Sequence, residues 1–231
     1  MQRAYDNVIH DVAIQDLPVV MCLDRGGLVG EDGVTHHGVF DMAAFGAVPG
    51  LTIAAPMNEP ELRNMMYTAL GSGHPFMIRY PRGHGEGLPW RGEKFETLPV
   101  GRGRRLREGA DVALLTVGTV GNAAARAAGR AAAEGVSVSH YDLRFVKPLD
   151  EALLDEVGRK FRRVVTVEDG SLRGGVGEAV AAFFNGRGYD VRVQRLGIGD
   201  EWVEHGTPGQ LYALCGYDEE GILRALLDTR A

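Results

Sequence analysis

The stretch LPVVMCLDRGGLVGEDGVTHHGVFD, residues 17–41, decides how the chain reads. Its first eight residues are an apolar run rich in branched side chains, the pattern of a strand covered on both faces of a parallel sheet. Where the run stops, residues 25–41 bring together five glycines, two adjacent histidines, an arginine and three carboxylates. In open α/β sheets ligands sit just beyond the carboxyl ends of the strands, on loops in this position. Glycine lets such a loop turn tightly and approach a ligand closely. Arg25, Asp32 and His36 are therefore candidate site residues, because a carboxylate and an imidazole in one loop can tune each other's protonation and orientation.

Working outward, MQRAYDNVIHDVAIQD (residues 1–16) repeats apolar residues at helical spacing from its first turn, with Ala4, Val8, Ile9, Val12 and Ala13 on one face. No N-cap precedes it, an abrupt opening expected of a piece of something longer. LTIAAP (residues 51–56) reads as a second strand. NEPELRNMMYTALGSG (residues 58–73) reads as a helix with Asn58 as N-cap, Pro60 in the first turn and Gly71 as the stop. PFMIRYPRG (residues 75–83) is a third strand, and Arg82 lies just past its end behind a proline that fixes the local backbone. Two arginines at neighbouring strand ends would make a fork-shaped seat for a phosphate or carboxylate.

Residues 86–103 are dense in Gly, Pro and charge without periodicity, and read as a linker. Strand and helix patterns then alternate through four strand–helix units to a closing helix at residues 218–230. The expected architecture is α/β: two domains, residues 1–85 and 104–231, each a mainly parallel sheet flanked by helices. At net charge −6 the chain is not a general nucleic-acid binder or a basic membrane-surface protein. No apolar run reaches the ~18–20 residues of a membrane span, and no signal-peptide hydrophobic region opens the chain. Cys22 and Cys215 suit a reducing cytoplasm and are expected to be small buried residues.

Taken together, QRAYDNVIHD, DRGGLVGEDGVTHHGVFD, RYPRG, YDLRFVKPLD and VTVEDG followed by GGVGE closely resemble the 1-deoxy-D-xylulose-5-phosphate synthase family, relatives of transketolase that use thiamine diphosphate and Mg2+. The resemblance runs along the whole chain and implies part of a transketolase pyrimidine-binding domain followed by a transketolase C-terminal domain. Departures are small: Gly26 stands where alanine is usual, His37 where glutamine is common, and GIGD where GLPD is typical. Family members condense pyruvate with glyceraldehyde 3-phosphate with loss of CO2, feeding isoprenoid, thiamine and pyridoxal synthesis, and are homodimers. By this resemblance Arg25 and Arg82 hold the aldehyde's phosphate, His36 and Asp32 stand beside the reacting carbons, and Arg3 lies near the cofactor's aminopyrimidine. The family's metal-binding GDG region and activating glutamate are expected upstream of residue 1, so the chain alone would hold cofactor poorly and be inactive. Alternative readings are another transketolase relative, such as transketolase or a 2-oxo-acid dehydrogenase β chain, and a non-catalytic dimerisation or regulatory fragment.

Other residues carry blander expectations. Glu168 precedes a glycine-led helix whose amides could receive an anion, although a tight crossover explains those glycines as well. His74, His84 and His140 are expected in solvent, His205 on a surface turn, and Met65, Met66, Phe183 and Phe184 in cores.

Overall fold

The computed structural model describes residues 1–228; the last residues of the expected closing helix, 229 and 230, lie outside the described residues, as does Ala231. The chain opens on helical turns at Gln2–Ala4, α1 (Tyr5–Asn7) and a π-helical turn at Val8–Ala13. Then come β1 (Val20–Leu23), α2 (Asp41–Gly46), β2 (Thr52–Ala54), α3 (Glu59–Leu70) and β3 (Phe76–Arg79). After an extended stretch follow β4 (Arg104–Arg107), β5 (Val112–Val117), α4 (Val120–Ala133), β6 (Val138–Asp142) and β7 (Phe145–Lys147). The chain closes with α5 (Glu151–Lys160), β8 (Arg163–Ser171), α6 (Val176–Gly186), β9 (Arg192–Ile198), α7 (Pro208–Leu214) and α8 (Glu219–Leu227).

Local chemistry explains several boundaries. The Asn58 side chain accepts from the Glu61 amide and Pro60 stands in the first turn of α3, as expected. Asp150 caps α5 and Asp218 caps α8 in the same way. Thr207 and Gln210 form a reciprocal capping box on α7.

Two sheets result. In the first, order β1-β3-β2-β7, the strands β1, β3 and β2 run parallel and β7 pairs antiparallel with β2. In the second, order β4-β6-β5-β8-β9, four strands are parallel and β4 is an antiparallel edge. The strand β7 thus leaves the second half of the chain to complete the first sheet. The stretch at 86–103 is more than a tether: Arg63 of α3 donates to the carbonyls of Trp90, Glu93 and Lys94, and its guanidinium lies 4.9 Å from the centre of the Phe95 ring.

The cores are also shared. Leu28 and Val39, from the glycine-rich loop of the first half, are buried among side chains of α4, α8, β5 and β8. Met42 and Ala55 are buried on the opposite face of the second sheet with Leu154, Val180 and Phe184. Burying one such large side chain stabilises by about 1.5–3 kcal/mol, so the loop after β1 is fastened as part of the second domain's core.

Several solvent and core expectations change. Cys22 is exposed because β1 is an edge strand, and Cys215 is half-buried. Met66 is exposed while Met65 is fully buried, because adjacent helical positions face different ways. Phe184 is core, whereas Phe183 is only partly buried and lies under the Arg187 guanidinium. His140 is 1% exposed rather than solvated, because every residue of β6 is buried. Among the described residues no helix is long and apolar enough to cross a membrane.

Candidate functional site

The site is built at the carboxyl ends of β1 and β3. Their parallel register pairs Leu23 with Arg79, and the Gly26 amide continues the pairing by donating to the Tyr80 carbonyl at 2.9 Å. Arg25 and Arg82 therefore leave adjacent strands at the same end of the sheet. The loop then closes on itself: Gly27 and Gly38 exchange amide-to-carbonyl bonds of 2.8 and 2.9 Å. A Cβ on Gly38 would lie 2.0 Å from the Arg25 carbonyl oxygen, so only glycine permits this closure. Arg25 itself has φ +59, left-handed backbone that costs a side-chain-bearing residue about 1–2 kcal/mol and clusters at functional sites.

The candidate residues divide between two cavities. Arg3, Arg25 and His36 line one of about 930 Å³, together with Cys22, Asp24 and Thr35. There the Arg25 guanidinium pairs with Asp24 at 2.8 Å, and His36 Nδ1 lies 3.0 Å from the Thr35 hydroxyl. Arg82 lines a second cavity of about 670 Å³, between the two sheets, with Asn58, Tyr80, Asn122 and Tyr212. Asp32 is in the lining of neither cavity; it forms a close ion pair with Arg82. Both partners are substantially exposed, and a pair of that kind contributes at most about 1 kcal/mol, so either partner is free to exchange for another ion.

Beneath the loop lies a buried polar layer that the sequence reading did not single out. Arg79, 4% exposed, donates through Nε to Asp41 at 2.7 Å and through Nη2 to the Asp169 carbonyl at 3.0 Å. Burial works against its charge, but Asp41 and then Asp169 outweigh it and hold the guanidinium above its ordinary pKa. The Asp169 carboxylate accepts from the Leu28 amide at 3.1 Å and from the Tyr217 hydroxyl at 2.6 Å. Burial pushes the Asp169 carboxyl above the usual carboxylate range. Gly27 is needed here too, since its Cβ would sit 1.8 Å from Asp169 Oδ2. The sequence signal for this layer was a cation closing the wholly apolar run FMI, and an aspartate, Asp41, at the start of the helix that follows the glycine-rich loop.

Glu168 occupies the helix terminus considered as an anion seat. Its carboxylate accepts from the Val176 and Gly177 amides at 2.7 and 2.8 Å. Burial raises its pKa to about 7, although those amide bonds pull it down. The crossover glycines thus serve a residue already in the chain. His205 lies exposed on the segment facing Gly33, as the surface-turn reading expects.

Comparison with known proteins agrees with this fold. The transketolase pyrimidine-binding domain family matches residues 1–86 and the transketolase C-terminal domain family matches residues 101–222. The chain belongs to the transketolase family. Within it, the chain is 58% identical over 232 residues to a 1-deoxy-D-xylulose-5-phosphate synthase of Bacteroides fragilis, covering 100% of this chain and 36% of that relative. It is 48% identical over 222 residues to the synthase of Symbiobacterium thermophilum, covering 96% of this chain and 34% of the other. The chain therefore spans about a third of the length of the curated relatives it matches. A solved split-gene transketolase, an inactive β4 tetramer, superposes with TM-score 0.86 at 27% identity, covering 97% of this chain and 71% of that one.

Proposed function

We propose that this transketolase-family chain supplies the aldehyde-binding side of a 1-deoxy-D-xylulose-5-phosphate synthase, which condenses pyruvate with glyceraldehyde 3-phosphate with loss of CO2. The observation that carries the reading is the cavity at the carboxyl end of β1, where Arg3, Arg25 and His36 converge in a chain 58% identical to such a synthase. A phosphate dianion is matched by planar, permanently charged donors, which Arg25 and Arg82 provide. Arg82 lines the second cavity, and to share the phosphate with Arg25 it would turn from the Asp32 carboxylate to the phosphate, one anion exchanged for another. His36 gives a proton to the aldehyde oxygen as the new carbon–carbon bond forms, a role suited to an imidazole. Arg3, on the same cavity as His36, would contact the aminopyrimidine of the cofactor.

Thiamine diphosphate supplies the carbanion chemistry when bound. In this reading the metal and diphosphate seat is not made by the described residues. Among them no group of three His, Cys, Asp or Glu side chains could hold a metal ion. Glu168 is engaged with the amides of α6, and Asp169 with Leu28 and Tyr217. The chain covers 36% of the Bacteroides fragilis relative, and in this reading Mg2+ and the diphosphate are held by the remainder of such a synthase, in a homodimer. The split-gene transketolase relative, inactive as a β4 tetramer, supports reading the isolated chain as inactive.

Calorimetric titration of the chain with thiamine diphosphate and Mg2+ tests the first half of this reading, with weak or no heat expected; tight binding would overturn it. Assembly with a polypeptide carrying the remainder of the synthase should restore CO2 release from pyruvate that depends on glyceraldehyde 3-phosphate. CO2 release indifferent to the aldehyde would point to another transketolase relative.

A further inference from the structure

The loop that presents Arg25, Asp32 and His36 is held to the second domain at several points, and one of them is a histidine next to the candidate proton donor. His37 is 8% exposed. Its Nδ1 lies 3.0 Å from the Val29 amide, and its Nε2 lies 3.1 Å from the Val203 carbonyl, with the Glu204 carbonyl at 3.4 Å. An amide nitrogen can only donate and a carbonyl can only accept, so the two contacts fix the ring. Nδ1 carries the lone pair, Nε2 carries the hydrogen, and the imidazole is neutral. A protonated ring would aim N–H at N–H across the Val29 contact.

The ring therefore spans the loop, at Val29, and the segment that follows β9, at Val203. That segment lies along the loop for several residues: the Gly206 amide donates to the Gly30 carbonyl at 3.4 Å, and a Cβ on Gly33 would meet His205 at 3.3 Å. Val203 is itself part of the core packed against α4 and α8. His36 has no such anchorage: among the described residues its side chain bonds to the neighbouring Thr35 hydroxyl alone. Its direction in the cavity is set by the backbone it shares with His37.

We propose that His37 is a positioning residue for the candidate site: as a neutral acceptor–donor strut between Val29 and Val203 it fixes the loop and so aims His36 into the cavity. This rests on the proposed role of His36 for its functional meaning, while its physical content is independent of it. One substitution should preserve the strut. Glutamine is long enough and carries an amide oxygen to accept from Val29 and an NH2 to donate to Val203. Alanine removes both contacts and leaves a buried amide and a buried carbonyl without partners.

The test uses the 231-residue chain with labelled histidine, comparing wild type, His37→Gln and His37→Ala. In the wild type the His37 nitrogen resonances should report a neutral ring protonated at Nε2; the other tautomer, or an imidazolium at neutral pH, overturns the proposal. Amide exchange at Val29 should be slow in wild type and His37→Gln and faster by about 10-fold or more in His37→Ala, the scale of losing one buried hydrogen bond. Exchange at Val165 in β8 should match in all three, which separates loss of the strut from loss of the fold. The His36 ring resonances should coincide in wild type and His37→Gln and move in His37→Ala. Unmoved His36 signals in His37→Ala overturn the positioning claim. In the assembled synthase His37→Ala should lose about 10- to 100-fold in kcat, the cost of misplacing a catalytic group by about an ångström, and His37→Gln should recover it. An assembled wild type that does not turn over the two substrates refutes the reading under Proposed function, and the exchange and ring signals still decide the strut.

Discussion

Replacing Arg79 with methionine should weaken the whole chain, and the structure sets the size of the effect. The methionine fills most of the space of the arginine stem, so the cavity contribution is small and the loss is electrostatic. Asp41 would lose its 2.7 Å partner and the Asp169 carbonyl its 3.0 Å donor. Removing one partner of a buried ion pair costs about 3–5 kcal/mol, because the other is left buried and uncompensated. Asp41 is 11% exposed and also accepts from the Met42 amide at 2.8 Å, which places the expected loss near the lower end, about 3 kcal/mol. For a chain of this size that is a fall of about 6–12 °C in Tm. Urea unfolding of wild type, Arg79→Met, Asp41→Asn and the double variant would measure it. If the pair is the cause, the double variant should be less destabilised than the sum of the singles by about 1–2 kcal/mol. A loss below about 1 kcal/mol for Arg79→Met, or strict additivity in the cycle, would refute the reasoning.

The other predictions concern pH and turnover. Burial, and then the charge of Arg104, lower the His140 pKa to about 4, so its stabilising contribution is complete above the unfolded value near 6.5 and is lost as pH falls from there towards 4. The advantage of wild type over His140→Gln should shrink by about 3 kcal/mol between pH 7 and 4, and parallel stability curves would count against it. Asp142 and Glu168, raised by burial to about 6 and about 7, add the opposite slope equally in both proteins and cancel from the difference. In the assembled synthase, Arg82→Ala should raise KM for glyceraldehyde 3-phosphate far more than KM for pyruvate; equal rises would remove Arg82 from the phosphate. His36→Ala should slow kcat by about 10²-fold, as for loss of a positioned proton donor, and an unchanged rate would exclude it.

What could be read from the sequence was what is decided locally. The α3 cap was legible because Asn58 and Pro60 act within one turn. The strand before the glycine-rich loop was legible because a branched apolar run ends where flexible residues begin. Pairing between distant segments was not. Residues 145–147 belong to β7, only three residues long, and its partner β2 lies about ninety positions earlier, which no periodicity reports. His140 sits in an alternating run that suggests one wet face, yet β6 is covered on both sides. Cys22 fails in the opposite sense: its strand looks interior by composition but stands at the sheet edge. The candidate residues themselves were legible as chemistry, while their grouping was not. Asp32 is near His36 in sequence, and the fold pairs it with Arg82, fifty positions away.

The grouping of the candidate residues has one origin. The loop after β1 folds against the second domain as much as the first: Leu28 and Val39 are in the second domain's core, Asp169 holds the Leu28 amide, and His37 reaches Val203. A parallel set of contacts binds α3 to the other side of the same junction, where buried Glu61 accepts from Arg144 at 2.8 and 2.9 Å and pairs with Arg104 at 2.8 Å. The interface between the domains and the scaffold of the site are therefore one structure. It follows that Arg79→Met, which unpairs charges beneath the loop, should disturb both stability and the His36 resonances. His37→Gln, which replaces one acceptor–donor strut by another, should leave both nearly as they were. A variant that moved His36 while leaving the junction's amide protection intact would show that the loop takes its shape from its own glycines and not from the second domain.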